Sequence, residues 1–99
     1  MLAFWIPAFA GMTLAFSAGA IEVAVDVGHH AAEPGVISAS GMPEFEYNRA
    51  LALHVRTELE KLQIKVRLIG ERGDYAVLHQ RTRDARGADL FVSIHHDSV

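Results

Sequence analysis

The sequence predicts an α/β domain with a parallel, or mostly parallel, sheet, the element order β-α-β-α-β, and helices packed on the faces of that sheet. Three observations carry the prediction. Short β-branched runs end at glycine or at a histidine doublet, stretches of helical periodicity separate those runs, and the connections are long enough to return the chain to the same side of a sheet. With 99 residues, 51% hydrophobic and 21% charged, the chain suffices for one domain, since a second would need about 50 residues of its own.

Taken in order, residues 1–20 hold no charged side chain, whereas every Lys, Arg, Asp and Glu lies from Glu22 onward. The apolar runs at 2–6 and 14–16, followed by Ser17, Ala18, Gly19 and Ala20, read as a secretory signal peptide or leader, leaving residues 21–99 as the folded part. Pro7 and Gly11 interrupt the apolar stretch and make it a poor transmembrane helix, so the only membrane contact expected is through an uncleaved leader. Residues 21–28 alternate and close at Gly28, which gives the first strand. Residues 29–43 are rich in Gly, Pro, Ser and Ala without any period; a loop of that length in a compact domain is usually functional.

Residues 44–62 read as a helix with an apolar stripe at Tyr47, Leu51, Val55, Leu59 and Leu62, and Pro43 stands where a helix start tolerates proline. Residues 65–69 alternate into Gly70 as the second strand. Residues 75–86 form a short helix with Leu78, Thr82 and Ala85 on one side, stopped by Gly87. Residues 89–94 are mostly apolar, so this third strand is expected inside the sheet and covered on both faces.

Charge and composition exclude several functions. Nine basic against twelve acidic residues give a net charge of -3, and the basic residues form no block, which argues against a nucleic-acid surface. Without cysteine there is no disulfide, no thiolate metal site and no Cys nucleophile. Any metal must be held by histidine and carboxylate, and four of the six histidines form two doublets, His29-His30 and His95-His96. In a parallel α/β sheet, the loops leaving the C-terminal ends of the strands share one edge, and each following helix begins there. That rule gathers His29, a first-turn carboxylate from Glu44 or Glu46, and His95. Two neutral imidazoles and one carboxylate leave zinc a fourth position for water, which is the pattern of a catalytic rather than a closed structural site.

The segments Asp26-Val27-Gly28-His29 with Pro34-Gly35, Glu46 with Asn48, Leu78-His79-Gln80-Arg81, and Asp89-Leu90-Phe91-Val92-Ser93-Ile94-His95 resemble the zinc-dependent N-acetylmuramoyl-L-alanine amidases, in order and approximate spacing. The resemblance runs from about Ile21 to the last residue and implies His29, Glu46 and His95 as ligands of Zn2+. Glu44 competes with Glu46, because side chains two residues apart on a helix point about 200° apart and only one can face a metal. The match of the segment beginning at Glu46 favours that residue. Arg81 corresponds to a family arginine that touches substrate, lies on a solvated helix face or forms a structural ion pair. Asp26 and Gly28 are expected to shape the turn that presents His29, and His54 and His79 to be ordinary surface residues.

His30 and His96 stand where the family usually has small residues. The family's catalytic glutamate lies beyond Val99, so the catalytic residue is not identified in this chain, which reads as the N-terminal part of a truncated catalytic domain. The resemblance implies a zinc-dependent hydrolase, exported to the periplasm or cell envelope of a bacterium. It would cleave the amide between N-acetylmuramic acid and L-alanine in peptidoglycan muramyl-peptide. The alternative is a non-catalytic, zinc-stabilised cell-wall-binding or regulatory module that lacks the second carboxylate.

Overall fold

The structure, a computed structural model, describes residues 2–5 and 21–96. Its elements are β1 (Leu2–Trp5), β2 (Glu22–Val27), α1 (Glu44–Lys61), β3 (Lys65–Ile69), α2 (Leu78–Asp84) and β4 (Leu90–Ile94). They build a four-stranded sheet in the order β1-β4-β2-β3. β2 is parallel to both neighbours, with Val25 opposite Leu68 on one side and Val92 on the other. The expected β-α-β-α-β core is therefore present from residue 21 onward. An addition comes from the segment read as a leader: β1 pairs antiparallel with β4, Leu2 opposite Ile94 and Trp5 opposite Phe91. The rest of the leader expectation, at residue 1 and over residues 6–20, lies outside the described residues. Among the described residues, no helix is long and apolar enough to cross a membrane.

Burial explains why β2 lies inside the sheet. Its residues from Val23 to Val27 are all buried, and the β-branched odd positions face one side while Ala24 and Asp26 face the other. Val23, Val25 and Val27 join Phe45, Ala52 and Ile94 beneath α1, with Val55, Leu59, Val66, Leu68 and Val92 packed around them. On the opposite face Ala24, Ile69, Ala85 and Ala88 form a smaller cluster with Tyr75 and Phe91. The two helices thus cover opposite faces. This follows from the strand order: the chain moves from β2 outward to β3, then crosses back past β2 to β4. The order reverses between β2 and β4, and in open α/β sheets the crevice at such a reversal, outside the C-terminal strand ends, is where ligands bind.

Two helix faces differ from expectation. In α1 the buried residues are Glu44, Phe45, Asn48 and Ala52, while Tyr47 and Leu51 of the expected stripe are exposed and Leu62 is 70% exposed. Val55 and Leu59 of the stripe do pack on the core, where they continue the face begun by Glu44, Asn48 and Ala52 at offsets of three and four residues. In α2 the helix begins at Leu78, after extended backbone at Val77, and it buries Arg81 and is followed by buried Ala85, whereas Leu78 and Thr82 are exposed. Phe45→Ala is expected to destabilise the fold by about 3–5 kcal/mol in urea unfolding, and Leu62→Ala by no more than about 0.5 kcal/mol. Equal losses at the two positions would show that the buried face of α1 is assigned wrongly.

Candidate metal centre

His29 stands just beyond β2, Glu44 opens α1, and His95 follows β4, so three elements each deliver one side chain to the β2–β4 crevice. His29 Nε2 lies 3.3 Å from Glu44 Oε1, and His95 Nδ1 lies 3.4 Å from Glu44 Oε2. One ligand atom from each residue falls within 4.8 Å of the other two. The imidazole rings meet edge to face at 5.2 Å. Two imidazole nitrogens and a carboxylate oxygen converging at this separation fit zinc by donor chemistry and by number.

The carboxylate beside both histidines is Glu44, and not the Glu46 that the family resemblance favoured. Glu46 is exposed, on the side of α1 turned away from the crevice, whereas Glu44 is 2% exposed and beside both histidines. One of the two carboxylates faces the histidines, and it is Glu44, the competitor. The helix starts one residue after Pro43, which places Glu44 on the same face as Asn48, four residues later and also buried. An acidic residue and an amide at this spacing, continued by Ala52, were the available signal.

Close backbone approach makes the site. His29 adopts a left-handed conformation with φ 65°, uncommon for a residue with a side chain and frequent at functional positions. At Gly28 a Cβ would lie 2.5 Å from His95 Cε1 and 2.6 Å from its Nδ1. At Gly35, which has φ +84°, a Cβ would lie 2.6 Å from Glu44 Oε1 and 2.8 Å from His29 Cδ2. Both positions therefore need glycine to leave room for the ligand side chains.

Arg81 supports the His29 turn from the opposite face. It is 4% exposed and pairs with Asp26 Oδ1 at 2.7 Å, while its guanidinium also donates to the carbonyls of Val27, His29 and Tyr75. Asp26 in turn accepts from Ser93 Oγ at 2.6 Å on neighbouring β4. Of the three roles open for Arg81, the structure shows the structural ion pair and, by its burial, excludes a solvated helix face; Asp26 shapes the turn through that pair.

His30 lies 3.8 Å from Glu33, and both line a cleft of about 380 Å³ that also takes in His29, His95 and Arg81. His96 packs beside Tyr47 in a second groove on the other side of Glu44. His54 and His79 are exposed, on α1 and α2 away from the ligand cluster.

Burial pushes the Glu44 carboxyl toward its neutral form. Hydrogen bonds from the His96 N–H, the Asn48 amide and the Val36 N–H, with the nearby His29, outweigh that and hold its pKa below the ordinary value. A depressed pKa stabilises the fold above the unfolded-state value near 4.5 and loses that contribution as pH falls through the lower folded value.

An open α/β sheet whose switch point gathers two imidazoles and one buried carboxylate defines a protein with a candidate metal centre of the catalytic type. The family model for N-acetylmuramoyl-L-alanine amidase (Amidase_3) matches residues 23–99, and the chain belongs to that family. It is 36% identical over 83 residues to N-acetylmuramoyl-L-alanine amidase AmiA of Escherichia coli (strain K12), an alignment covering 82% of this chain and 29% of AmiA. It is similar in structure to the catalytic domain of CwlV, an N-acetylmuramoyl-L-alanine amidase from Bacillus (Paenibacillus) polymyxa var. colistinus. There the TM-score is 0.72 and the identity 32%, over 80% of this chain and 46% of the CwlV chain. The chain thus spans less than a third of AmiA and under half of the solved CwlV chain.

Two outcomes test this construction. Arg81→Met leaves Asp26 buried without its counter-ion and is expected to cost about 3–5 kcal/mol of stability; Arg81→Met combined with Asp26→Leu should recover part of that loss in the same urea titration. In metal-free protein, Glu44→Gln should flatten the fall in stability below pH 4.5 relative to the parent, as followed by urea unfolding at stepped pH.

Proposed function

We propose that this chain holds Zn2+ through His29, Glu44 and His95 and forms the metal-binding part of a hydrolase. Its reaction would be cleavage of the amide between N-acetylmuramic acid and L-alanine in peptidoglycan. The observation that carries the proposal is the convergence of those three side chains at the β2–β4 crevice, within a segment that matches the amidase family. Zinc bound there would supply a water of lowered pKa and polarise the amide carbonyl.

The protein's own residues supply the setting for that chemistry. Glu44, kept ionised by its hydrogen bonds, offsets the charge of the cation, while Gly28 and Gly35 let the two imidazoles approach it. The cleft beside His29 and His95 is open on one side and walled by Tyr75, Leu78 and Phe91, which gives a muramyl-peptide an apolar surface next to the reacting bond. Proton delivery to the leaving amine is assigned to the glutamate that the family resemblance implies beyond Val99. His30 and Glu33 are the groups in the described cleft that would replace it. The same proposal places the protein outside the cytoplasm, where peptidoglycan lies.

Zinc content decides the ligand set. His29→Ala, Glu44→Ala and His95→Ala are each expected to lower zinc stoichiometry well below one per chain after dialysis. Glu46→Ala, His54→Ala and His79→Ala should retain the parent's content. Zinc should also leave the parent on acidification, because imidazole must be neutral to coordinate. Loss of zinc in Glu46→Ala with retention in Glu44→Ala would overturn the assignment. Hydrolysis of a muramyl-peptide should be compared between this chain and one extended through the implied glutamate, at equal zinc loading. The extended chain is expected to be faster by about 10²–10⁴-fold, the usual contribution of general acid–base assistance. Equal rates would move that role to His30 or Glu33.

A further inference from the structure

One side-chain amide stands behind all three candidate ligands. Asn48 is completely buried in the second turn of α1. Its Nδ2 donates to the Gly28 carbonyl at 3.0 Å and to Glu44 Oε2 at 3.3 Å, and its Oδ1 lies 2.7 Å from His96 Nδ1. Both partners of Nδ2 are pure acceptors, so turning the amide over would set oxygen against oxygen twice. Oδ1 therefore accepts, and His96 carries its proton on Nδ1. Gly28 precedes His29, His96 follows His95, and Glu44 is touched directly, so the amide reaches the segment of every ligand.

We infer that Asn48 is the positioning residue of this metal centre, fixing the Glu44 carboxylate so that Oε1 is the oxygen offered to the metal. Glu44 Oε2 already receives the Asn48 amide and the His96 N–H, the latter at 3.0 Å. Oε1 faces His29 Nε2 at 3.3 Å with only the long contact from the Val36 N–H at 3.4 Å as a hydrogen bond, whereas Oε2, 3.4 Å from His95 Nδ1, is already committed to its two donors. A carboxylate held by two donors on one oxygen cannot rotate without breaking both, which keeps the other oxygen aimed into the crevice. The inference deepens the zinc reading above and rests on it. Partners that orient metal ligands typically affect metal affinity by about 10–100-fold when removed.

The test measures zinc affinity by competition with a chromophoric chelator in the parent, Asn48→Asp and Asn48→Leu. It adds the visible absorption of each protein loaded with Co2+ and the thermal transition of each metal-free form. The expected result is about 10–100-fold weaker zinc binding and an altered Co2+ spectrum in variants that still unfold cooperatively. Affinity within twofold of the parent and an unchanged Co2+ spectrum would overturn the inference, because a purely structural role shifts the thermal transition and leaves both alone. A parent that binds no zinc would remove the zinc reading itself, a result distinct from a parent that binds beside unaffected variants. Should the variants fail to fold, the parent decides: the Asn48 side-chain amide resonances in 15N-labelled protein should move and exchange more slowly on saturation with zinc. Unmoved resonances would overturn the inference.

Discussion

Keeping one carboxylate ionised where little water reaches it is the constraint around which the edge of this sheet is organised. Burial alone would drive Glu44 to its neutral form, because an isolated charge is expensive to desolvate. Its compensating partners arrive from three places: Asn48 from the same helix, Val36 from the preceding loop and His96 from the end of β4. They converge only when α1 sits at one position along the sheet. Apolar contact through Phe45 and Ala52 brings the helix onto the sheet, but such contact tolerates sliding; the polar contacts at Glu44 do not.

A second charged cluster answers it from the other face. Arg81 is centred among backbone carbonyls and Asp26, and Ser93 ties Asp26 to β4. The turn carrying His29 is held between the two clusters. The carbonyls of Val27 and His29 are drawn toward Arg81, and the intervening Gly28 carbonyl is drawn toward Asn48. The left-handed residue His29 thus has the carbonyls on both sides of its turn held by buried donors. The cost of that conformation, of order 1–3 kcal/mol, is offset by hydrogen bonds to a buried guanidinium.

Much of this was legible in the sequence, and the parts that were not share a cause. The β-branched run closed by Gly28, the apolar strand ending at His95 and the unperiodic loop between His29 and Pro43 define the sheet and its working edge through local pattern alone. The choice between Glu44 and Glu46 depended on how α1 is rotated about its axis. The preference for Glu46 came from the match of a local segment, which carries no rotation, and the stripe through Tyr47 and Leu51 did not supply one, because the inner face at the N-terminal end of α1 is polar or small: Glu44, Asn48 and Ala52. Hydrophobic periodicity cannot see a face buried for electrostatic reasons. Arg81 was ambiguous for the same reason, since a buried arginine and a solvated one look alike until the carbonyls around it are placed. The strand at Leu2–Trp5 had no local signal separating it from an apolar leader; its pairing with β4 is a property of the assembled sheet.

The three ligands belong to the end of the first parallel strand, the start of the helix after it and the end of the last strand, with no two of them neighbours along the chain. An unfolded chain therefore contains no ready-made chelate of these residues, unlike a site built from two histidines one helical turn apart. Closing the site requires the long-range pairing of β2 with β4, the kind of contact that forms slowly because loop-closure entropy opposes it. Capture of an ion through this set would consequently be a late event in folding. The rate at which the chain acquired metal would then measure how fast its sheet is completed, with diffusion of the ion contributing little to the delay.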